Sequence, residues 1–326
     1  RGVAQVPAGQ RPPGAQTRLT TRPRPPAPET GGVVSPAGAT HPGNMEQLIW
    51  DREPPVLRSP ILVTAFEGWF DVGGSATGAV ESLRGTEAVQ VAHVDPDEFF
   101  DFSERRPNVR RVDGRRVIEW PHNDVHALRC ADRDRDLLLM EGVEPQLRWR
   151  TFAECVLEIV ERFDVAMVVT LGAMVAEIPH TRPPAITGST TDPDLAAVLR
   201  LDQPSYQGPT GVVGVLHERL ENSGTPAVSL RASVPHYVTG TPNPKASRAL
   251  LERFERVTGL PTGWAGLDEE AHDWEARVNE AMEDDVEVTD YVRQLERRFD
   301  ERAASSLPSS DDLAAEFERY LRQQDD

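Results

Sequence analysis

Residues 165–171, VAMVVTL, constrain the fold more than any other stretch of this chain. A strand with one wet face alternates apolar and polar side chains. This run is apolar on both faces, which suits a central strand of a parallel sheet with helices covering each side. The surrounding sequence supplies such helices. Residues 149–163 repeat apolar side chains at Trp149, Phe152, Val156, Ile159 and Phe163, one face of a helix. Residues 244–257 read as another helix, with Gly259 just past its end.

The same alternation of strand, loop and helix begins at residue 61. Residues 61–66 form a short apolar strand, and residues 74–83 place Val80 and Leu83 at helical spacing behind small residues. Further strands are expected at 88–94, 137–140 and 227–234, and helices at 192–201 and 211–221. Residues 109–112 and 115–120 flank Asp113-Gly114, a strong signal for a two-residue hairpin turn. The pattern predicts a three-layer α/β/α sandwich over residues 45–262. Beyond 263 the strands stop. Leu267, Ala271, Trp274, Val278 and Met282, then Val288, Val292, Leu295 and Phe299, make two helical stripes, and Leu313, Phe317 and Leu321 a third. Residues 263–326 are therefore expected to be acidic amphipathic helices.

Residues 1–44 are rich in Pro, Gly, Ala, Thr and Arg, with no apolar periodicity, and are expected to be disordered. Met45 stands just before the first globular pattern and is a candidate natural start. The net charge is −18, with 20 acidic against 7 basic residues from 267 onward. Such a surface repels phosphate backbones, so nucleic acid is not an expected partner. No apolar run approaches the roughly 20 residues that span a membrane. Two cysteines, Cys130 and Cys155, make no disulfide framework, and the reading is a cytoplasmic protein.

Lys245 is the only lysine. A P-loop needs a Gly-Lys-Ser/Thr step, which Gly73-Gly74-Ser75-Ala76-Thr77-Gly78 lacks. The same shortage argues against an ATP-dependent carboxylate-amine ligase. No cofactor is expected, and no metal. His122, Asp124, His126 and Cys130 read as extended chain, in which four residues span about 13 Å, too far for two ligands of one zinc. His217-Glu218 lacks the second histidine of a metalloprotease helix, and there is no G-x-S-x-G elbow.

In an open α/β sheet, ligands gather beyond the carboxyl ends of the strands, so the loops there supply the candidate pocket residues. After the first strand come Glu67 and Asp71 in a Gly-rich turn, either a tight strand-to-helix connection or a helix N-terminus offering amides to an anion. After the central strand, residues 172–183 carry Glu177, His180, Thr181 and Arg182, suited to acid-base work, to anion binding or to an interface. Tyr206 precedes a helix that Thr210 is expected to cap. His236 and Tyr237, with Asn243 beyond them, either line a pocket or hold a proline-rich loop.

The order and wording of LGAMVAEIPHTRP, SYQGPTGVVGVLHERLENSGTP and SLRASVPHYVTGTPNPKA, with ILVTAFEGWFDVGGSA and LLLMEGVEP before them, resemble the proteasome assembly chaperone 2 family in its actinobacterial form. The likeness runs from about residue 46 to 259. It implies a phosphorylase/hydrolase-like fold, self-association, and proteasome subunits or another protein as partner. It also places the His180 loop near the edge of the sheet. In relatives that guide proteasome assembly, docking uses a C-terminal hydrophobic-Tyr-any residue tail. This chain ends Gln324-Asp325-Asp326 instead, and its nearest match is residues 317–321. A non-enzymatic assembly protein is thus expected to scatter Glu67, His180, Arg182 and His236, whereas the alternative, a phosphorylase- or hydrolase-type enzyme on a small polar ligand, requires them to converge.

Overall fold

The computed structural model describes residues 45–131 and 133–306. The expected disordered tail and the third stripe at Leu313, Phe317 and Leu321 lie outside the described residues. Strands β1 (Leu48–Trp50) and β2 (Ile61–Glu67) lead into helix α1 (Ser75–Arg84), then β3 (Val89–Val94) and the single-turn α2 (Pro96–Phe99). A separate ribbon of β4 (Asn108–Val112) and β5 (Arg115–Glu119) precedes β6 (Asn123–Leu128), β7 (Leu137–Val143) and helix α3 (Trp149–Arg162). The chain continues through β8 (Met167–Ala176), β9 (Ile186–Ser189), α4 (Pro193–Leu199), α5 (Val212–Ser223), β10 (Ala227–Pro235) and α6 (Pro244–Thr258). It ends in α7 (Asp268–Met282) and α8 (Val286–Ser306).

Eight strands form one mixed sheet in the order β1-β3-β6-β7-β2-β8-β10-β9. Its centre, β7-β2-β8-β10, is parallel, and the pairings outside that centre are antiparallel. Apolar cores lie on both faces. One gathers Phe152, Val156 and Ile159 of α3 with Val212, Leu216 and Leu220 of α5. The other gathers Ala76, Ala79 and Val80 of α1 with Leu250, Leu251 and Phe254 of α6. The doubly apolar run falls at the start of β8, where Val168 and Val169 point into opposite cores. The result is a three-layer α/β/α sandwich.

Local chemistry fixes the ends of these elements. Asp113 and Gly114 both take positive φ, 51° and 78°, as a two-residue hairpin turn demands. Gly259 ends α6 in the left-handed region. Two expectations need correction, and one strand was not expected. The central strand continues to Ala176, so residues 172–176 are sheet rather than loop, and β9 follows as an edge strand. Strand β1 has only three residues, too few for a pattern to show. Thr210 does not cap α5. Gly211 is the N-cap, without a side-chain bond of its own, and the Val212 amide faces Glu144 at 3.5 Å.

Candidate functional site

The parallel strands β7, β2, β8 and β10 all deliver their carboxyl ends to one edge. The helices after β2 and β7 leave toward opposite faces, so the crevice between these two strands is the topological switch point where α/β sheets bind ligands. The seven candidate residues lie along this edge in three settings, of which the first and third adjoin, since Glu67 and Asp71 both line a polar cleft of about 720 Å³.

Asp71 and Asn243 are helix caps. Asp71 is buried, and its Oδ1 accepts from the Ala76 amide at 2.6 Å while its Oδ2 accepts from the Thr77 hydroxyl at 2.5 Å. Burial pushes this carboxyl up, against the hydrogen bonds from Thr77 and Ala76. The start of α1 thus already holds an anion, the chain's own, and the tight-turn reading of the glycines describes it. Asn243 Oδ1 accepts from the Ala246 amide at 3.0 Å to cap α6. Its amide donates to the Gly73 carbonyl at 2.9 Å, so the two capped helix starts are tied together. Gly73 takes φ of 64° there, with the Thr241 carbonyl 3.1 Å from where a Cβ would stand.

His180, Arg182 and His236 form the second setting, beneath α7 and α8. The Tyr237 hydroxyl accepts from the His180 amide at 2.9 Å and lies 3.0 Å from its Nδ1, while Nε2 lies 3.0 Å from Asn279 Oδ1 on α7. The Asn279 oxygen only accepts, so Nε2 carries the proton and Nδ1 receives the tyrosine's. Burial lowers the His180 pKa and pushes Tyr237 up to about 12. His236 Nε2 sits 3.3 Å from the Tyr291 hydroxyl of α8, and the rings of His180, Tyr237, His236 and Tyr291 meet edge to face. Lys245 donates to the His180 carbonyl at 2.6 Å and to Glu275 of α7 at 2.5 Å. Arg182 grips Asp300 of α8 through Nε and Nη2 at 2.9 and 2.8 Å, and Thr181 donates to Glu296 at 2.5 Å. The pairing raises Arg182 and lowers Asp300. This constellation bolts two helices to the sheet.

Glu67 and Tyr206 belong to the third setting, the switch point itself. A cleft of about 660 Å³ runs between Glu67, Trp69, Arg105, Glu144, Trp149 and Tyr206. Arg105 closes an ion pair with Glu67 at 2.5 Å, and the Glu144 amide donates to the Glu67 carbonyl at 2.9 Å. Trp69 and Tyr206 are 76% and 73% exposed, which leaves two large aromatic faces in water at its mouth. No group of three or more metal-ligating side chains occurs among the described residues. His122 to Cys130 runs as β6 and its exit, not as a helix.

Sequence reasoning passed over Arg105, Glu144, Asn279 and Tyr291. Glu144 was findable by the same rule that picked out Glu67, because it follows β7 at the same edge. Arg105, Asn279 and Tyr291 carry no signal, since only tertiary packing brings them there.

No curated protein matches this chain. Among solved structures, a PAC2 family protein from Streptomyces avermitilis is 42% identical with TM-score 0.67, covering 72% of this chain and 99% of its own. A proteasome-assembly chaperone homologue from Mycobacterium tuberculosis is 39% identical with TM-score 0.65, covering 71% and 99%. An archaeal proteasome activator from Pyrococcus furiosus shares the fold at 19% identity and TM-score 0.59, covering 72% and 97%. The model of the PAC2 family matches residues 65–282, and the chain belongs to the PAC2 family.

Proposed function

We propose that this chain is a non-enzymatic protein-binding factor that acts in proteasome assembly. The observation that carries the reading is the division of the candidate residues. An acid-base enzyme needs His180, Arg182, His236 and Glu67 around one reacting atom. Here the first three spend their polar atoms on α7, α8 and the neighbouring backbone, and Glu67 faces a different cleft. Two clefts stay open at the edge, a polar one that Glu67 and Asp71 both line and an aromatic-rimmed one, and the second is the kind of surface that anchors a protein partner. The name of the mycobacterial homologue supports a proteasome partner. No helix among the described residues is long and apolar enough to cross a membrane.

The test is size-exclusion light scattering of the chain co-expressed with and without proteasome α-subunits of the same organism. A stable mixed complex is the expected result. A chain that ignores the subunits, yet is stabilised by a small polar ligand in a thermal screen, overturns this reading in favour of a ligand-binding enzyme.

A further inference from the structure

The ribbon of β4 and β5 buries almost nothing. All of β4 is exposed, and all of β5 except Glu119. Pairing sets Val109 opposite Ile118 on one face, at 53% and 39% exposure, and places Val112 and Val117 on the other, at 51% and 41%. Both faces are therefore apolar and wet. A two-stranded ribbon is marginal in water unless one face is packed. Only the root of this one is anchored, where Phe102 meets Trp120 edge on at 4.7 Å.

Its charge is the second anomaly. Arg110, Arg111, Arg115 and Arg116 stand on the ribbon of a chain whose net charge is −18. Arg110 is held by Glu119 at 2.6 Å, and Arg111, Arg115 and Arg116 are exposed. The complementary surface lies elsewhere on the same chain. Between residues 268 and 306 there are 14 acidic and 5 basic side chains. Asp268 and Glu275 are committed to Arg248 and Lys245 of α6, while Glu270, Asp273, Glu280 and Glu283 are exposed.

We propose that the ribbon of one molecule lies across α7 of a second copy of this chain. The face that carries Val109 and Ile118 loses its water there, and Arg111 and Arg116, which share that face, meet the acidic side chains of α7. Nucleic acid is the weaker fit, because the rest of the surface repels phosphates. The two patches differ, so the contact is heterologous and must close into a ring or extend as a filament. The inference stands apart from the proteasome reading, since it concerns only contacts between copies.

Light scattering of the full chain across a salt series tests it. The expected result is a mass above one chain at low salt that falls as salt rises. The variant Arg111→Glu/Arg116→Glu, altered only at exposed side chains, should associate at least about tenfold more weakly with unchanged circular dichroism. Adding Asp273→Arg/Glu280→Arg to it should restore association. A wild-type chain that runs as a monomer at every salt overturns the proposal, as does a reversed ribbon that leaves the mass unchanged. A mass that nuclease abolishes overturns it too. Loss of the proteasome complex with the self-association intact also overturns it, and leaves the assembly reading standing.

Discussion

The loops after β8 and β10 and the loops after β2 and β7 share one edge of one sheet, yet they meet different fates. The first pair carries the richer chemistry: two histidines, a half-buried tyrosine, the only lysine and an arginine with two acidic partners. Helices α7 and α8 engage these groups, burying His180 and leaving His236 exposed beside Tyr291. The second pair, joined by Arg105 from beyond α2 and Tyr206 from the segment before α5, has one ion pair and two exposed aromatics, and it stays open. Perturbed titratable groups at a strand end often mark a functional site. That inference fails when neighbouring helices consume the same groups, and accessibility decides between the two cases.

The comparison breaks most visibly if the roof is not structural. Trp274 on α7 is 2% exposed and faces the His180 ring at 6.5 Å. Trp274→Ala should cost about 3–5 kcal/mol in urea unfolding, the usual loss for a buried aromatic. Hydrogen exchange should place the greatest loss of protection in α7 and α8. An unchanged unfolding midpoint would mean that the roof is a loose appendage.

Acid should separate the two sides next. Burial holds His180 neutral in the folded state below its ordinary pKa, near 6.5, while the unfolded chain takes up a proton. Its contribution is full above about pH 6.5 and is lost as pH falls through the folded value. Glu275 and Glu296 oppose the shift and Lys245 adds to it. His217, half-buried against the sheet 2.9 Å from the Thr170 hydroxyl, behaves in the same sense, and desolvation lowers it to about 4. That drop corresponds to a global loss of roughly 3 kcal/mol between pH 6.5 and 4. Protection factors in α7 should therefore fall faster on acidification than those in α3, and His180→Gln should remove that excess while leaving the global loss. Equal decline in both helices would show that His180 does not govern the roof.

The layers of the sandwich were legible because burial on two faces leaves a pattern. Val168 and Val169 cannot both be buried in a strand unless helices lie on each side, and α3 and α6 supply faces that cover it. Caps were less legible. Asp71 and Thr210 each precede a helix, but only Asp71 reaches the amides, because the Gly73-Gly74 turn brings its carboxylate back over them. The three-way division of the candidate residues was not legible at all. It depends on Asn279, Tyr291 and Asp300, which lie about a hundred residues beyond His180 and Arg182 in sequence. A local window can nominate His180 as a catalytic group, and only the packing of α7 and α8 shows its nitrogens already engaged.

The open side should give the smallest change in stability and the sharpest change in binding. Trp69 is exposed at the mouth of the cleft, so Trp69→Ala removes little buried area and should shift unfolding by less than about 0.5 kcal/mol. A tryptophan that anchors a partner commonly carries about 2 kcal/mol or more of an interface, which is roughly thirtyfold in Kd. Titration of the mixed complex with the Trp69→Ala protein, set beside its unfolding curve, reads both quantities from one preparation. Weakened binding with unaltered stability would assign the open cleft to the partner. Unaltered binding would move the partner off the switch point, and the exposed aromatics there would need an occupant other than a proteasome subunit.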